Sequence, residues 1–409
     1  MKKITAIAIL CSLILLLPVP SGINAKVYNT KPETGDGTVA AVTASDAQMD
    51  ISSPSAVLME GSTGMLLFEK NKDEHLKPAS ITKVMTLLLI FEALDSGQIK
   101  PMDEVMVSEH AASMGGSQVY LEPNEVQNVD TMIKCISIAS ANDAAVAMAE
   151  YIAGSEEEFV ARMNRRAKEL GMENTNFVNC CGLDTDNHYS TAYDVALMSR
   201  ELITKHPQIS NYSTVWMDTI VHETKKGRIE FGLTNTNKLV KFYNGVTGLK
   251  TGSTSIAKYC LSATARRNNM DLIAVVMAAP DTKTRFMEAS KMLNYGFANY
   301  SVYMDQNADT HFEPVRVVKG VNETVQGRVG NSFSYLCAKG QTADNIRKEI
   351  VMYEEVPAPI AENDKIGDVI YYYGNEKIGS VDILALQPVD KAGFKDCFVK
   401  ALKRYFLKK

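Results

Sequence analysis

The period of apolar positions changes several times along the chain, and each change marks a different kind of element. Lys2 and Lys3 precede an apolar run over residues 4–17, Pro18 and Pro20 break it, and Ile23-Asn24-Ala25 ends on a small residue. This predicts a cleaved secretory signal peptide over 1–25, since the run is short of the ~20 residues a spanning helix needs. Residues 26–52 are rich in Thr, Ala, Gly and Asp with no apolar period, which predicts a flexible linker. Residues 56–59 and 65–68 are apolar and flank the turn residues Gly61 to Gly64, so they predict a hairpin. After Pro78, residues 79–94 are apolar nearly all round, the pattern of a helix buried in the middle of a domain, and Gly97 is placed to end it.

Helical periods follow over 129–138, 144–152 and 156–170, the first two flanking Ser140-Ala141-Asn142. Strands are expected at 248–253, 259–265 and 272–277, with Asn268-Asn269 as a turn between the last two. Helices lying in sequence between an early and a late set of strands predict an α/β (α+β) domain over 53–305, an antiparallel sheet flanked by helices. From His311 the pattern becomes short alternating strands with Gly and Pro between them, a small all-β domain over 306–388 to which no chemistry is assigned. Over 389–409, Phe394, Phe398, Leu402, Tyr405 and Phe406 recur at helical spacing among Lys395, Lys400, Lys403, Arg404, Lys408 and Lys409. Such a basic amphipathic helix suits an anionic membrane surface, the other reading being a terminal helix packed on the β domain.

A net charge of -5 gives no electrostatic argument for nucleic-acid binding. Cys135, Cys180, Cys181, Cys260, Cys337 and Cys397 lack both the spacing of a disulfide framework and a CxxC pair, so buried free thiols and no metal site are expected. A ring between the adjacent Cys180 and Cys181 would be strained.

Three short elements carry chemistry: Ser80-Ile81-Thr82-Lys83, Ser140-Ala141-Asn142 and Lys250-Thr251-Gly252. Ser80 and Lys83 are three apart on a helix, so their side chains share one face. A serine needs a base to become a nucleophile, and the six histidines present no Ser-His-Asp set. Lys83 can serve if neutral, a state favoured by burial and by the cation of Lys250. Ser80 lies just inside a helix start, where free N–H groups favour a developing oxyanion. Ser140 offers a hydroxyl to pass a proton to a departing amine, and Asn142 an amide to hold a substrate backbone. Lys250 and Thr251 suit a terminal carboxylate, and Gly252 clears the strand edge for an extended peptide.

These segments resemble the D-alanyl-D-alanine carboxypeptidase family, the low-molecular-mass penicillin-binding proteins. The likeness runs from Leu76-Lys77-Pro78-Ala79-Ser80 through Thr86, through the rim Gly116-Ser117-Gln118-Val119-Tyr120-Leu121, Ile138 to Ala145, Glu169 to Asn179, His188 to Asp194, and Gly248 to Gly252. It implies a serine β-lactamase/penicillin-binding-protein-like catalytic domain with a small all-β C-terminal domain. It also implies that Ser80 forms an acyl-enzyme with release of D-alanine from peptidoglycan stem pentapeptides ending in D-Ala-D-Ala. By the same resemblance Lys83 accepts the proton, Ser140 relays it, Lys250 binds the carboxylate, and the N–H groups of Ser80 and Ser253 form the oxyanion hole. Inhibition by β-lactam antibiotics, no cofactor, and work in the cell wall at the outer face of the cytoplasmic membrane are implied as well. Cys180-Cys181, Thr247 and Lys258 depart from the family's usual residues. Two other readings are a β-lactamase, against which stands the absence of Glu with Leu-Asn after it between Asn142 and Lys250, and a penicillin-sensing or wall-binding module without turnover.

Overall fold

The structure, a computed structural model, describes residues 25–29, 49–224, 227–305 and 311–406, so the expected signal peptide lies outside the described residues except for Ala25. Two compact units are present: Ala41–Tyr303 with Leu336–Gln341, and Met304–Tyr335 with Thr342–Lys409, the second including the strand Ala25–Asn29.

In the first unit the early hairpin forms as expected, with β1 (Ser55–Glu60) antiparallel to β2 (Leu66–Lys70). The Glu60 carboxylate closes its turn, accepting from the backbone N–H groups of Ser62 at 2.8 Å and Thr63 at 2.7 Å. The late strands β3 (Val246–Thr254), β4 (Lys258–Arg267) and β5 (Met270–Ala279) complete a five-stranded antiparallel sheet in the order β2-β1-β5-β4-β3. Asn268 and Asn269 join β4 to β5 with φ of 49° and 60°, the left-handed pair that a two-residue hairpin turn demands.

Every residue of β1 is buried, because helices cover both faces of the sheet. Val57 and Met59 pack into one core with Val84, Leu88 and Phe91 of α1 (Lys83–Asp95). Ala56 and Leu58, pointing the other way, pack with Phe286, Ala289 and Met292. The first core also takes in α2 (Asn142–Ala153), α3 (Glu156–Glu169) and α4 (Ala192–Lys205). The second belongs to α5 (Thr282–Asn299), whose N-terminus Asp281 caps by accepting from Thr284 N at 2.9 Å. Neither α4 nor α5 was predicted, nor was the hairpin of Met217–Thr224 and Gly227–Thr234. The second strand of that hairpin is largely exposed, so no apolar alternation marks it.

Two of the expected helices need correction at their ends. The helix predicted over 129–138 is an α-helix only for Val129–Lys134, and a π turn over Cys135–Ala139 delivers the chain to Ser140 in the left-handed conformation. The helix predicted over 79–94 opens with a 3-10 turn, Ala79–Thr82, before α1. Of the expected linker over 26–52, residues 26–29 and 49–52 are described. Ala25–Asn29 pairs antiparallel with β7 (Ile346–Tyr353), as an extended segment does when a sheet edge offers unpaired backbone groups. At the other end, Ser52 Oγ donates to Glu288 of α5 at 2.7 Å.

In the second unit β6 (Gly327–Val329), β7, β8 (Lys365–Tyr373) and β9 (Glu376–Ala385) form a five-stranded sheet with Ala25–Asn29. Ile366, Val369, Tyr371 and Ile383 fill its core, with the Phe333 ring stacked on Tyr371. Its last element, α6 (Phe394–Phe406), exposes Phe394, Phe398, Tyr405 and Phe406. Cys397 on this helix is exposed, unlike the buried thiol expected there, because much of this short terminal helix faces solvent. Among the described residues no helix is long and apolar enough to cross a membrane.

Candidate active site

Pro78 starts the 3-10 turn that carries Ser80, and Ala79 within it has a φ of 48°, a conformation an alanine adopts only when its surroundings enforce it. Two glycines let neighbouring backbone close on this turn. A Cβ on Gly182 (φ 83°) would lie 1.8 Å from the Ala79 carbonyl oxygen, so only glycine fits. A Cβ on Gly252 would come within 3.0 Å of Ser80 N and 2.8 Å of Pro78 O, so β3 runs directly against the nucleophile turn.

Lys83, the first residue of α1, is fully buried, and its Nζ meets three oxygens: Ser80 Oγ at 3.0 Å, Asn142 Oδ1 at 2.5 Å and the Cys181 carbonyl at 2.9 Å. Burial pushes this amine below its ordinary pKa, against the opposing pull of the Cys181 and Cys180 thiols and Asp143. A neutral amine has two N–H groups and one lone pair. Asn142 Oδ1 and the Cys181 carbonyl can only accept, so they take the two hydrogens. The lone pair is left facing the Ser80 hydroxyl, which then donates.

Lys250 on β3 is buried as well, and its Nζ donates to the Thr251 carbonyl at 3.0 Å. Desolvation, followed by the charges of Lys83 and Arg285, pushes it well below the ordinary lysine value. A charged Lys83 thus disfavours the charged form of Lys250.

The second motif builds the rim. Asn142 N donates to Ser117 O at 2.7 Å and its Nδ2 to Gly115 O at 2.6 Å, while Asp143 Oδ2 accepts from Val119 N and Leu121 N, each at 3.1 Å. Tyr120 projects from this rim, exposed. Ser140 sits at φ 62° with a buried hydroxyl that has no hydrogen-bond partner among the described residues. Thr251 Oγ1 donates to Thr236 Oγ1 at 2.7 Å, and Ser253 is exposed at the open end of the strand. Ser80, Lys83 and Asn142 are thus in direct contact, and Gly252 brings the third motif against them.

Sequence reasoning missed two supporting residues. Arg285 of α5 donates from Nη1 to Gly252 O at 3.0 Å and Cys260 O at 3.3 Å, fastening β3 and β4 where the substrate would lie. No pattern in the sequence signals it. His188 is buried with Nδ1 accepting from Val178 N at 3.0 Å, so the proton is on Nε2, which lies 2.9 Å from Thr82 Oγ1 between Ser80 and Lys83. Burial first, and the charge of Lys77 second, push this imidazole down to about 4 and keep it neutral. It belongs to the segment from His188 to Asp194 that carries part of the resemblance, the one signal that could have found it.

The chain is similar to known proteins along most of its length. The family described as D-alanyl-D-alanine carboxypeptidase matches residues 40–281, and the one described as Penicillin-binding protein 5, C-terminal domain, matches residues 306–391. D-alanyl-D-alanine carboxypeptidase DacF of Bacillus subtilis (strain 168) is 46% identical over 340 residues, covering 83% of this chain and 86% of its own. DacC of Escherichia coli (strain K12) is 33% identical over 368 residues, covering 87% of this chain and 90% of its own. Among solved structures, penicillin binding protein 5 from Haemophilus influenzae superposes with a TM-score of 0.70 at 31% identity, covering 84% of this chain and 99% of its own.

Proposed function

The chain belongs to the D-alanyl-D-alanine carboxypeptidase family, and on that premise we propose that Ser80 is its nucleophile, Lys83 the base that activates it, and Lys250 the cation that receives the substrate's terminal carboxylate. The protein is a serine-type, penicillin-binding D-Ala-D-Ala carboxypeptidase that acts on peptidoglycan outside the cytoplasm. The observation that carries the residue assignment is the 3.0 Å contact of Lys83 Nζ with Ser80 Oγ, made while two fixed acceptors occupy the other directions of the amine.

In this reading a stem peptide lies along β3, its terminal carboxylate on Lys250 and Thr251. Ser80 Oγ attacks the carbonyl carbon of the penultimate D-alanine while its proton passes to Lys83 Nζ, and the oxyanion forms against the backbone N–H groups of Ser80 and Ser253. The C–N bond then breaks. Ser140 Oγ hands its proton to the leaving amine and is reprotonated by the Lys83 ammonium, so D-alanine departs and Lys83 is neutral again. Water, deprotonated by the same amine, cleaves the ester and frees Ser80. A β-lactam amide enters by the same attack.

We assign catalysis to residues 53–305 and none to 306–388. We further propose that residues 1–25 direct export and that 389–409, with α6, lie on the outer face of the membrane. Supporting this are the exposed Phe394, Phe398, Tyr405 and Phe406 beside lysines on one short helix. The experiment for the catalytic assignment measures D-alanine released from a pentapeptide ending in D-Ala-D-Ala, with the wild type and with Ser80→Ala. Release is expected from the first only, and release by the variant at a similar rate would refute Ser80 as nucleophile.

A further inference from the structure

The spacing of cysteines in the sequence predicts no metal site, yet the fold carries Glu156, the first residue of α3, to Cys180 and Cys181. Their donor atoms all lie within 4.8 Å of one another. The two sulfurs are 3.7 Å apart as free thiols, Glu156 Oε1 accepts from Cys180 N at 3.0 Å, and Glu156 Oε2 is 3.0 Å from His110 Nε2. None of these side chains has a part in the chemistry proposed above.

We propose that Cys180, Cys181 and Glu156 form a binding site for a thiophilic divalent cation, with zinc as the ion of best fit. Tetrahedral zinc holds thiolates at about 2.3 Å, which places two ligand sulfurs about 3.8 Å apart. The observed separation of 3.7 Å already meets this, so the pair chelates with little movement. The Glu156 carboxylate supplies the third ligand, and water the fourth. The thiols are buried while 14% of the Glu156 side chain is exposed, which makes the carboxylate the point of entry. His110 lies outside it, more than half exposed, and orients the carboxylate as an outer partner does in metal centres.

Binding replaces two S–H bonds by two zinc–sulfur bonds and releases both protons to solvent, with no change of oxidation state. Two thiolates and a carboxylate around a dication leave one negative charge, and the His110 ring lies against the carboxylate on its solvent side. Cys181 would present its sulfur to the ion and its carbonyl to Lys83 Nζ, placing the site one residue from the catalytic amine.

The test uses full-length protein, reduced with a phosphine, freed of metal by a chelator and titrated separately with Zn2+ and Co2+. Wild type is expected to take up one equivalent of zinc, and its cobalt form to show thiolate-to-cobalt charge-transfer absorption in the near ultraviolet. The double variant Cys180→Ser/Cys181→Ser is expected to lose both signals, Cys260→Ser to keep them, and Glu156→Gln to bind zinc roughly tenfold or more weakly. A wild-type cobalt form without thiolate bands overturns the proposal whatever the variants do. So does zinc uptake that the double substitution leaves unchanged.

Discussion

Asn142 Oδ1 accepts a hydrogen bond from Lys83 Nζ at 2.5 Å, tying together two motifs fifty-nine positions apart. With the Cys181 carbonyl it fixes the direction of both hydrogens a neutral lysine has, and so aims the lone pair at Ser80. In its proposed role as base, Lys83 is set by its acceptors as much as by its burial.

Removing the amine should remove base catalysis while leaving the nucleophile in place. Lys83→Met is expected to slow acylation by penicillin by about 10²–10⁴-fold, the usual worth of a positioned base. Stopped-flow or intact-mass kinetics of the adduct check this. Wild-type rates in the variant would show that another group deprotonates Ser80.

Gly252→Ala tests the seam between β3 and the nucleophile turn. The added methyl would press on Ser80 N and Pro78 O at 3.0 and 2.8 Å, and Arg285 holds the Gly252 carbonyl from behind. Because displacements near 1 Å cost about a hundredfold in such sites, a loss of that size in penicillin acylation is expected, with about 1–3 kcal/mol lost in urea unfolding.

Much of the fold was legible because its strands are short apolar runs closed by turn residues: β1, β2, β4 and β5 all appear where expected, as do the Asn268-Asn269 turn and α1. The motifs were legible as ordered residue types, though contact between Lys83 and Asn142 exists only after α1 and α2 pack. Hidden from sequence were features that arise from tertiary pairing. The π turn before Ser140, the left-handed Ala79 packed against Gly182, and the approach of Glu156 to Cys180 have no local period to announce them. Arg285 is similar: one cation on an amphipathic helix, its role given by the two carbonyls it meets.

His188 predicts an acid-labile fold. Its imidazole titrates at about 4 when folded against an ordinary value of 6.5, so below pH 6.5 the unfolded chain binds a proton that the folded one refuses. Stability is then whole above about pH 6.5 and falls as pH drops toward 4, by about 3 kcal/mol for this group. Urea midpoints across that range should show the fall in wild type and a reduced slope in His188→Gln. An identical slope in both would remove His188 as the cause.

Removal of α6 tests the membrane proposal. A chain ended at Gln387 should leave the pellet when sedimented with anionic phospholipid vesicles, while the full-length protein should stay with them and be released by salt. Equal partition of the two would defeat the anchor.

The most direct measurement is the pH dependence of penicillin acylation in the wild type and in Asn142→Asp. Burial lowers the Lys83 pKa, so the wild-type rate should rise along a limb whose midpoint lies below the ordinary lysine value of 10.5. A carboxylate at 142, placed against Lys83 Nζ, favours the ammonium and should move that limb to higher pH, with a lower rate at neutrality. A rate that ignores pH, or a limb that stays at the ordinary lysine value in both proteins, would contradict Lys83 as the neutral base.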